Sequence, residues 1–195
     1  MDPARTILMR MFGCPEGMLG KLGGTVMARM NRQAAAWGIG LLELGPSEKV
    51  LEIGFGPGVA IEILARSALD VRIAGIDPSP EMVGQAARRN SAAIARNAVD
   101  LRRGSADDLP FDNDTFDAAL AINSLQVWPD AMAGLREIRR VAKGGGRVAL
   151  VFTPRSGQAR AGIAELLSDA GFVEARLVEG EPDFAALARK ARPAR

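Results

Sequence analysis

The sequence predicts an α/β fold in which parallel strands alternate with covering helices, and three observations carry that prediction. The first is Lys49-Val-Leu-Glu-Ile-Gly-Phe-Gly-Pro-Gly-Val59, where the short apolar run Val50, Leu51 and Ile53 is cut off by Gly54, Gly56 and Gly58. Such a run reads as a buried strand turning sharply into a helix, and its glycines let a ligand lie against bare backbone. The helix that follows, from Val59 to Ser67, begins with free N–H groups suited to a nucleotide-like ligand. The second observation is the strand Val71–Ile76, ending at Asp77-Pro-Ser-Pro80. An aspartate there, about twenty residues beyond the turn, is where α/β nucleotide folds place the acceptor for ribose hydroxyls. The third is the recurrence of the pattern, with strands at Ala118–Ile122 and Arg147–Thr153 each followed by a helical segment.

Composition narrows the chemistry. At 195 residues the chain is expected to form one domain with a real core. Hydrophobic residues make 48% of it, yet no apolar run reaches membrane-spanning length and no signal-peptide pattern opens it, so a cytoplasmic protein is expected. A single cysteine, Cys14, argues against an internal disulfide or a thiolate metal cluster. Histidine and tyrosine are both absent, which removes Ser/His/Asp and Cys/His catalysis and histidine-ligated zinc. No metal is expected, and any acid–base work falls to Asp, Glu, Lys or Cys14, or is unnecessary. The net charge is +2 with 23 acidic residues, and the basic surplus sits near the two ends, so no basic stripe marks nucleic acid as a partner.

Residues 1 to 45 differ in character from the rest. Methionines are frequent up to Met30, and Gly13, Gly17, Gly20, Gly23 and Gly24 interrupt the helical pattern. Ile7, Leu8, Met11 and Phe12 share one helical face with Arg5 and Arg10 off it, predicting a short amphipathic helix. It is either docked on its own domain or part of a Met-lined cover for an apolar substrate, since methionine adapts to irregular contacts. A longer helix is predicted from Thr25 to Leu44, stopped by Gly45-Pro46, with Met27, Met30, Asn31 and Trp37 as candidate substrate contacts, though Trp37 reads as core before it reads as a contact.

Beyond the glycine turn, Ser79 can cap a helix from Pro80 to Ala95, leaving Asp77 free for a ribose. A third strand, Val99–Arg103, leads into Gly104-Ser-Ala-Asp-Asp-Leu-Pro-Phe111. The strand Ala118–Ile122 delivers Asn123-Ser-Leu-Gln-Val-Trp-Pro-Asp130 at its carboxyl end, where open α/β sheets bind ligands. Ala121, Asn123 and Gln126 are therefore cofactor or substrate candidates, with Trp128 a wall of the site. A helix to Val141 is stopped by Lys143-Gly-Gly-Gly146, and after Thr153 only Pro154, Arg155 and Ser156 precede a helix from Gln158 to Ala170. Phe172–Glu179 reads as a sixth strand, while Asp183–Lys190 is alanine-rich and helical by propensity.

Glu52-Ile-Gly-Phe-Gly-Pro-Gly58 is not the dinucleotide fingerprint, which needs G-x-G-x-x-G with its third glycine inside the helix; Val59 occupies the next place here. It resembles the first motif of the class I methyltransferases that use S-adenosylmethionine, whose loop lies under the methionine and ribose. Ile76-Asp-Pro-Ser-Pro-Glu-Met-Val83 resembles their second motif, and Gly104–Phe111 resembles their G-D-A-x-x-L-P-F, with Ser105 where aspartate is usual. The segment after the fourth strand often carries two histidines in that family; Gln126 and Val127 stand there instead. The resemblance spans about Lys49 to Lys190, and the nearest type is the small-molecule group related to ubiquinone-biosynthesis methyltransferases.

That resemblance implies a Rossmann-like three-layer sandwich with a seven-stranded, mostly parallel sheet whose last strand is antiparallel, formed by Asp183–Lys190 through a hairpin at Gly180–Asp183. It implies S-adenosyl-L-methionine as cofactor, held by Glu52, Gly54, Phe55, Gly56, Gly58, Asp77, Pro78 and Met82. Ser105, or the backbone amides of Ala106 and Asp107, edges the adenine. The expected organisation is a helical N-terminal extension over 1–45 on the substrate side and a cofactor-binding domain over 46–195. The expected activity is methyl transfer to a small apolar or amphipathic molecule by a monomer or homodimer, with no catalytic residue named. Alternatives are a phospholipid methyltransferase working at a membrane surface through the Ile7–Phe12 face, a catalytically silent cofactor-binding protein, and a nicotinamide oxidoreductase.

Overall fold

In the computed structural model, the structure describes residues 31–193. Helix α1, residues 31–41, comes first. It is followed by β1 (Lys49–Ile53), α2 (Val59–Ala65), β2 (Arg72–Asp77), α3 (Pro80–Arg89), α4 (Ser91–Ala95), β3 (Val99–Arg103) and β4 (Phe116–Ile122). Then come α5 (Ala131–Val141), β5 (Ala142–Phe152), α6 (Ile163–Asp169), β6 (Val173–Glu179) and β7 (Phe184–Arg189).

The strands form one seven-stranded sheet in the order β3-β2-β1-β4-β5-β7-β6. The β1–β2, β1–β4, β2–β3 and β4–β5 pairs are parallel, and β7 runs antiparallel to both β5 and β6. From β1 the chain winds outward through β2 to β3, then crosses back to lay β4 on the other side of β1. This reversal creates a crevice at the carboxyl ends of β1 and β4, where open α/β sheets place ligands.

Both faces of the central strands are covered, so these strands read as near-continuous apolar runs instead of alternating ones. On one face Leu51, Ala119, Leu150 and Phe152 pack against Leu135, Ile138 and Val141 of α5 and Leu167 of α6. On the other, Leu120, Val151 and Leu187 meet Ala34 and Ala35 of α1, while Val50, Ile61, Leu64, Ile73 and Ala86 join α2 and α3 to the sheet. Helix α1 lies so close that a Cβ on Gly38 would stand 2.6 Å from Val151 Cγ2. Residues 31–44, read from the sequence as part of an extension, are thus packed onto the sheet.

The seventh strand is present as the resemblance implied. Its alanines leave Ala185, Ala186 and Ala188 buried between β5 and β6, and ladder pairing on both edges overrides helical propensity. Several boundaries differ from the sequence reading. The predicted Pro80–Ala95 helix breaks at Asn90, whose Nδ2 donates to Ala86 O at 2.9 Å and Gly58 O at 3.1 Å, ending α3 and tying it to the glycine turn. Residues 142–146 belong to β5, with a register shift opposite Phe116–Ala118 that absorbs the glycines. Helix α6 starts after Gly162, whose φ of +83° stops the helix from reaching back to Gln158. Helix α1 is unwound by residue 42, ahead of Gly45.

Candidate active site

The site is built where the loops after β1 and β4 touch. Gly54, at φ +72°, donates its N–H to Ile76 O at 2.8 Å, knitting the end of β1 to β2. A Cβ there would stand 2.6 Å from Ser124 Cβ, and Ser124 Oγ donates to Ile53 O at 2.9 Å. The close approach, as much as the turn, therefore requires glycine. Gly56 N–H donates to Asp77 Oδ2 at 2.8 Å, and Ser79 N–H donates to Asp77 Oδ1 at 2.9 Å. Ser79 Oγ caps α3 by accepting from Met82 N–H at 3.3 Å. The predicted cap is present, but Asp77 is not left free by it, since its carboxylate fixes the glycine turn to the start of α3. Each of its oxygens keeps a second lone pair for a ligand.

A cleft of about 260 Å³ opens between these loops. Its floor is Glu52, Ile53, Gly54 and Gly56, one side is Asp77, Pro78, Met82, Gly104, Ser105 and Ala106, and the other is Ile122, Asn123, Ser124, Val127, Trp128 and Pro129. Asn31 and Ala35 of α1 close one rim. Asn123, itself at φ +51°, accepts at Oδ1 from Thr153 N–H (2.8 Å) and donates from Nδ2 to Thr153 Oγ1 (3.0 Å) and Asn31 Oδ1 (3.3 Å). That amide joins the ends of β4 and β5 to α1.

The electrostatics are one-sided. Among the described lining residues Glu52 and Asp77 are acidic and none is basic. Burial, then the neighbouring Asp77 carboxyl, push Glu52 up to about 8, against a smaller opposing effect of the Ile61 N–H. Burial also raises Asp77 above the ordinary carboxylate range, opposed by the N–H groups of Ser79 and Gly56. Among the described residues, Glu52 Oε2 is buried without a hydrogen-bond partner. A buried unpaired acceptor is costly to keep, and it suits a ligand that brings donors or positive charge.

Of the predicted cofactor residues, the cleft brings together Glu52, Gly54, Phe55, Gly56, Asp77, Pro78, Met82, Ser105, Ala106 and Asn123, and of the predicted substrate residues Asn31 and Trp128. Others lie elsewhere for identifiable reasons. Gly58 is pressed against α3, where a Cβ would meet Ala86 Cβ at 2.7 Å. Asp107 turns away to accept the Ser105 hydroxyl, and Ala121 faces the core beside α5. Gln126 donates to the Asn123 carbonyl at 2.7 Å from an exposed position. Trp37 packs beneath the β6–β7 turn, with Cζ2 2.7 Å from where a Gly180 Cβ would stand. Met27 and Met30 lie outside the described residues. The sequence reading missed Ser124 and the apolar wall of Ile122, Val127 and Pro129; the position of Ser124 directly after Asn123, at a strand's carboxyl end, was the signal available for it.

A glycine turn beside two buried carboxyl groups, in a crevice at the point of strand reversal, gives an α/β protein a site suited to a nucleoside-like ligand. The methyltransferase domain family matches residues 51–150, and the chain belongs to it. A relative from Bacillus subtilis, "Uncharacterized methyltransferase YdaC", is 32% identical over 138 residues, covering 71% of this chain and 74% of that protein. The "Ubiquinone/menaquinone biosynthesis C-methyltransferase UbiE" of Geotalea daltonii is 34% identical over 117 residues, 58% of this chain and 50% of that one. This chain thus aligns with about half of that longer relative. A solved S-adenosylmethionine-dependent methyltransferase from Aquifex aeolicus shares the fold with a TM-score of 0.75 at 19% identity, covering 86% of this chain and 98% of that one. The protein is a class I S-adenosylmethionine-dependent methyltransferase related to the ubiquinone-biosynthesis enzymes, which sets aside the nicotinamide reading. Among the described residues no helix is long and apolar enough to cross a membrane.

Proposed function

We propose that this enzyme methylates a small apolar or amphipathic molecule at an atom that needs no strong base. The observation that carries this reading is the substrate-side wall, where Ala35, Ile122, Val127, Trp128 and Pro129 surround only the neutral amides and hydroxyl of Asn31, Asn123 and Ser124. When bound, S-adenosylmethionine supplies a sulfonium-activated methyl group, so the protein's task is alignment and exclusion of water. Asp77 would hold the ribose hydroxyls with its remaining lone pairs, Met82 and Ala106 would flank the adenine, and the glycine turn would underlie the methionine. Apolar walls keep the acceptor dry while Asn31, its Oδ1 held by Asn123, would orient an oxygen on it through its own amide N–H. A carbon, thiol or unprotonated amine suits such a site, because the chain has no histidine or tyrosine and the apolar wall itself carries only neutral amides and a hydroxyl. The name of the quinone C-methyltransferase relative agrees with a carbon acceptor on an apolar ring.

Residues 1–30, leading directly into α1 at the rim, form in this reading the cover over the acceptor. The test is incubation of the full chain with methyl-labelled cofactor and a panel of prenylated hydroquinones, short-chain quinols and polar amines. Label transferred to the apolar quinols supports the reading; label transferred to the polar amines alone overturns it.

A further inference from the structure

The cleft poses an unsolved charge problem. Two carboxyl groups, Glu52 and Asp77, line it, and both are nearly removed from water, with relative exposures of 2% and 6%. No lysine or arginine stands among its described lining residues to balance them. Asp77 satisfies both oxygens with backbone N–H groups, but Glu52 leaves Oε2 with no hydrogen-bond partner among the described residues. Burial and the like charge of Asp77 both favour the protonated form of Glu52.

We propose that Glu52 senses ligand charge, holding a proton in the ligand-free protein and releasing it to solvent when the cationic centre of the cofactor occupies the cleft. This rests on the cofactor identity reached above. Binding becomes an exchange of one positive charge for another, so the site selects cationic ligands over neutral ones of the same shape without carrying a bare buried carboxylate while empty.

The surroundings support the exchange. From β2 the charged group facing Glu52 is Asp77, which favours the protonated form. Helix α2 brings the Ile61 N–H, which favours the ionised form; the acidic residue of that helix, Glu62, instead pairs with Arg32 at 3.1 Å, Arg66 at 2.9 Å and Arg89 at 3.6 Å. The segments after β3 and β4 bring Ser105, Asn123 and Ser124, and α1 brings Asn31 and Ala35, all uncharged. With the Glu52 carboxyl pushed up to about 8, it is mainly protonated at neutral pH. An opposite charge nearby lowers a carboxyl by roughly 1 to 3 pH units, enough to release about 0.4 to 0.9 of a proton near pH 7.

The experiment is isothermal titration of the full chain with S-adenosylmethionine at pH 7 in buffers of different ionisation enthalpy, which counts protons exchanged. We expect the native protein to release about half a proton or more per ligand beyond the value for Glu52→Gln, which keeps the side chain's shape and reports the ligand's own proton uptake. A second readout needs no variant: affinity of the native protein should rise several-fold, up to about tenfold, per pH unit between pH 6 and 7.5. Titration with S-adenosylhomocysteine, which keeps the ammonium and lacks the sulfonium, identifies the cation; release with both ligands assigns the ammonium, and release with S-adenosylmethionine alone assigns the sulfonium. Buffer-independent heats with a flat affinity profile, or a release undiminished in Glu52→Gln, overturn the proposal while leaving the cofactor assignment intact. Absence of binding in every buffer would instead remove the cofactor reading and the proposal with it.

Discussion

At the carboxyl end of β2 the Asp77 side chain accepts from Gly56 N–H and Ser79 N–H, so its removal disturbs the fold and the site together. Asp77→Ala is expected to weaken cofactor binding roughly ten- to a hundredfold and to lower stability by about 1 to 3 kcal/mol, because two N–H groups lose their acceptor. Calorimetric titration and thermal melting measure the two losses; unchanged affinity would return Asp77 to a purely structural role. Gly54→Ala meets a different obstacle, a Cβ placed 2.6 Å from Ser124 Cβ at a φ of +72°. It should cost about 1 kcal/mol or more and uncouple the β1 and β4 loops, visible as a lower melting temperature that Ser124→Gly partly restores.

Glu52 also makes stability depend on pH. Its folded value, about 8, lies above the ordinary 4.5, so the folded chain binds a proton more tightly than the unfolded one. This contribution is full below about pH 4.5 and is lost as pH rises through 8, on the order of 5 kcal/mol at most. The ligand-free protein should therefore melt at falling temperature from pH 5 to pH 9, and Glu52→Gln should flatten that slope. A melting profile of Glu52→Gln parallel to the native one would refute it.

Among the elements, the segment between β3 and β4 depends on α5 for its shape. Arg140 donates to Leu109 O at 2.9 Å, Phe111 O at 2.8 Å and Asn113 Oδ1 at 2.9 Å, while Glu137 Oε2 accepts from Leu109 N–H at 2.9 Å. This pair holds the stretch that carries Ser105 and Ala106 into the cleft. Arg140→Met should lower stability by about 1 to 3 kcal/mol and weaken cofactor binding without touching the ligand, measurable as faster amide exchange over 105–113. Unchanged exchange there would mean the loop holds itself. The glycine turn, the aspartate that ends β2 and the succession of β1 to β5 along the chain were legible because they rest on local chemistry: apolar runs, left-handed turns, a cap. What was not legible depends on distant partners. Asn90 breaks a helix because Gly58 O lies within reach, and Arg140 reads in sequence as an ordinary surface charge.

For the molecule as a whole, α1 is continuous with the sheet's packing, while residues 1–30 carry the proposed cover. A chain starting at residue 31 is expected to fold and bind cofactor with reduced affinity but to lose methyl transfer; full turnover by that chain would remove the cover role. The strand order has a further consequence for biosynthesis. Strand β7 sits between β5 and β6, and among the described residues β6 has no other neighbour in the sheet. As the polypeptide leaves the ribosome, β6 emerges before the strand it must pair with, so it waits unpaired until residues 184–189 arrive to join it to β5. The carboxyl-terminal hairpin therefore closes the sheet last, and a nascent chain stalled before Phe184 exposes the edge of β5 to chaperones or to other chains.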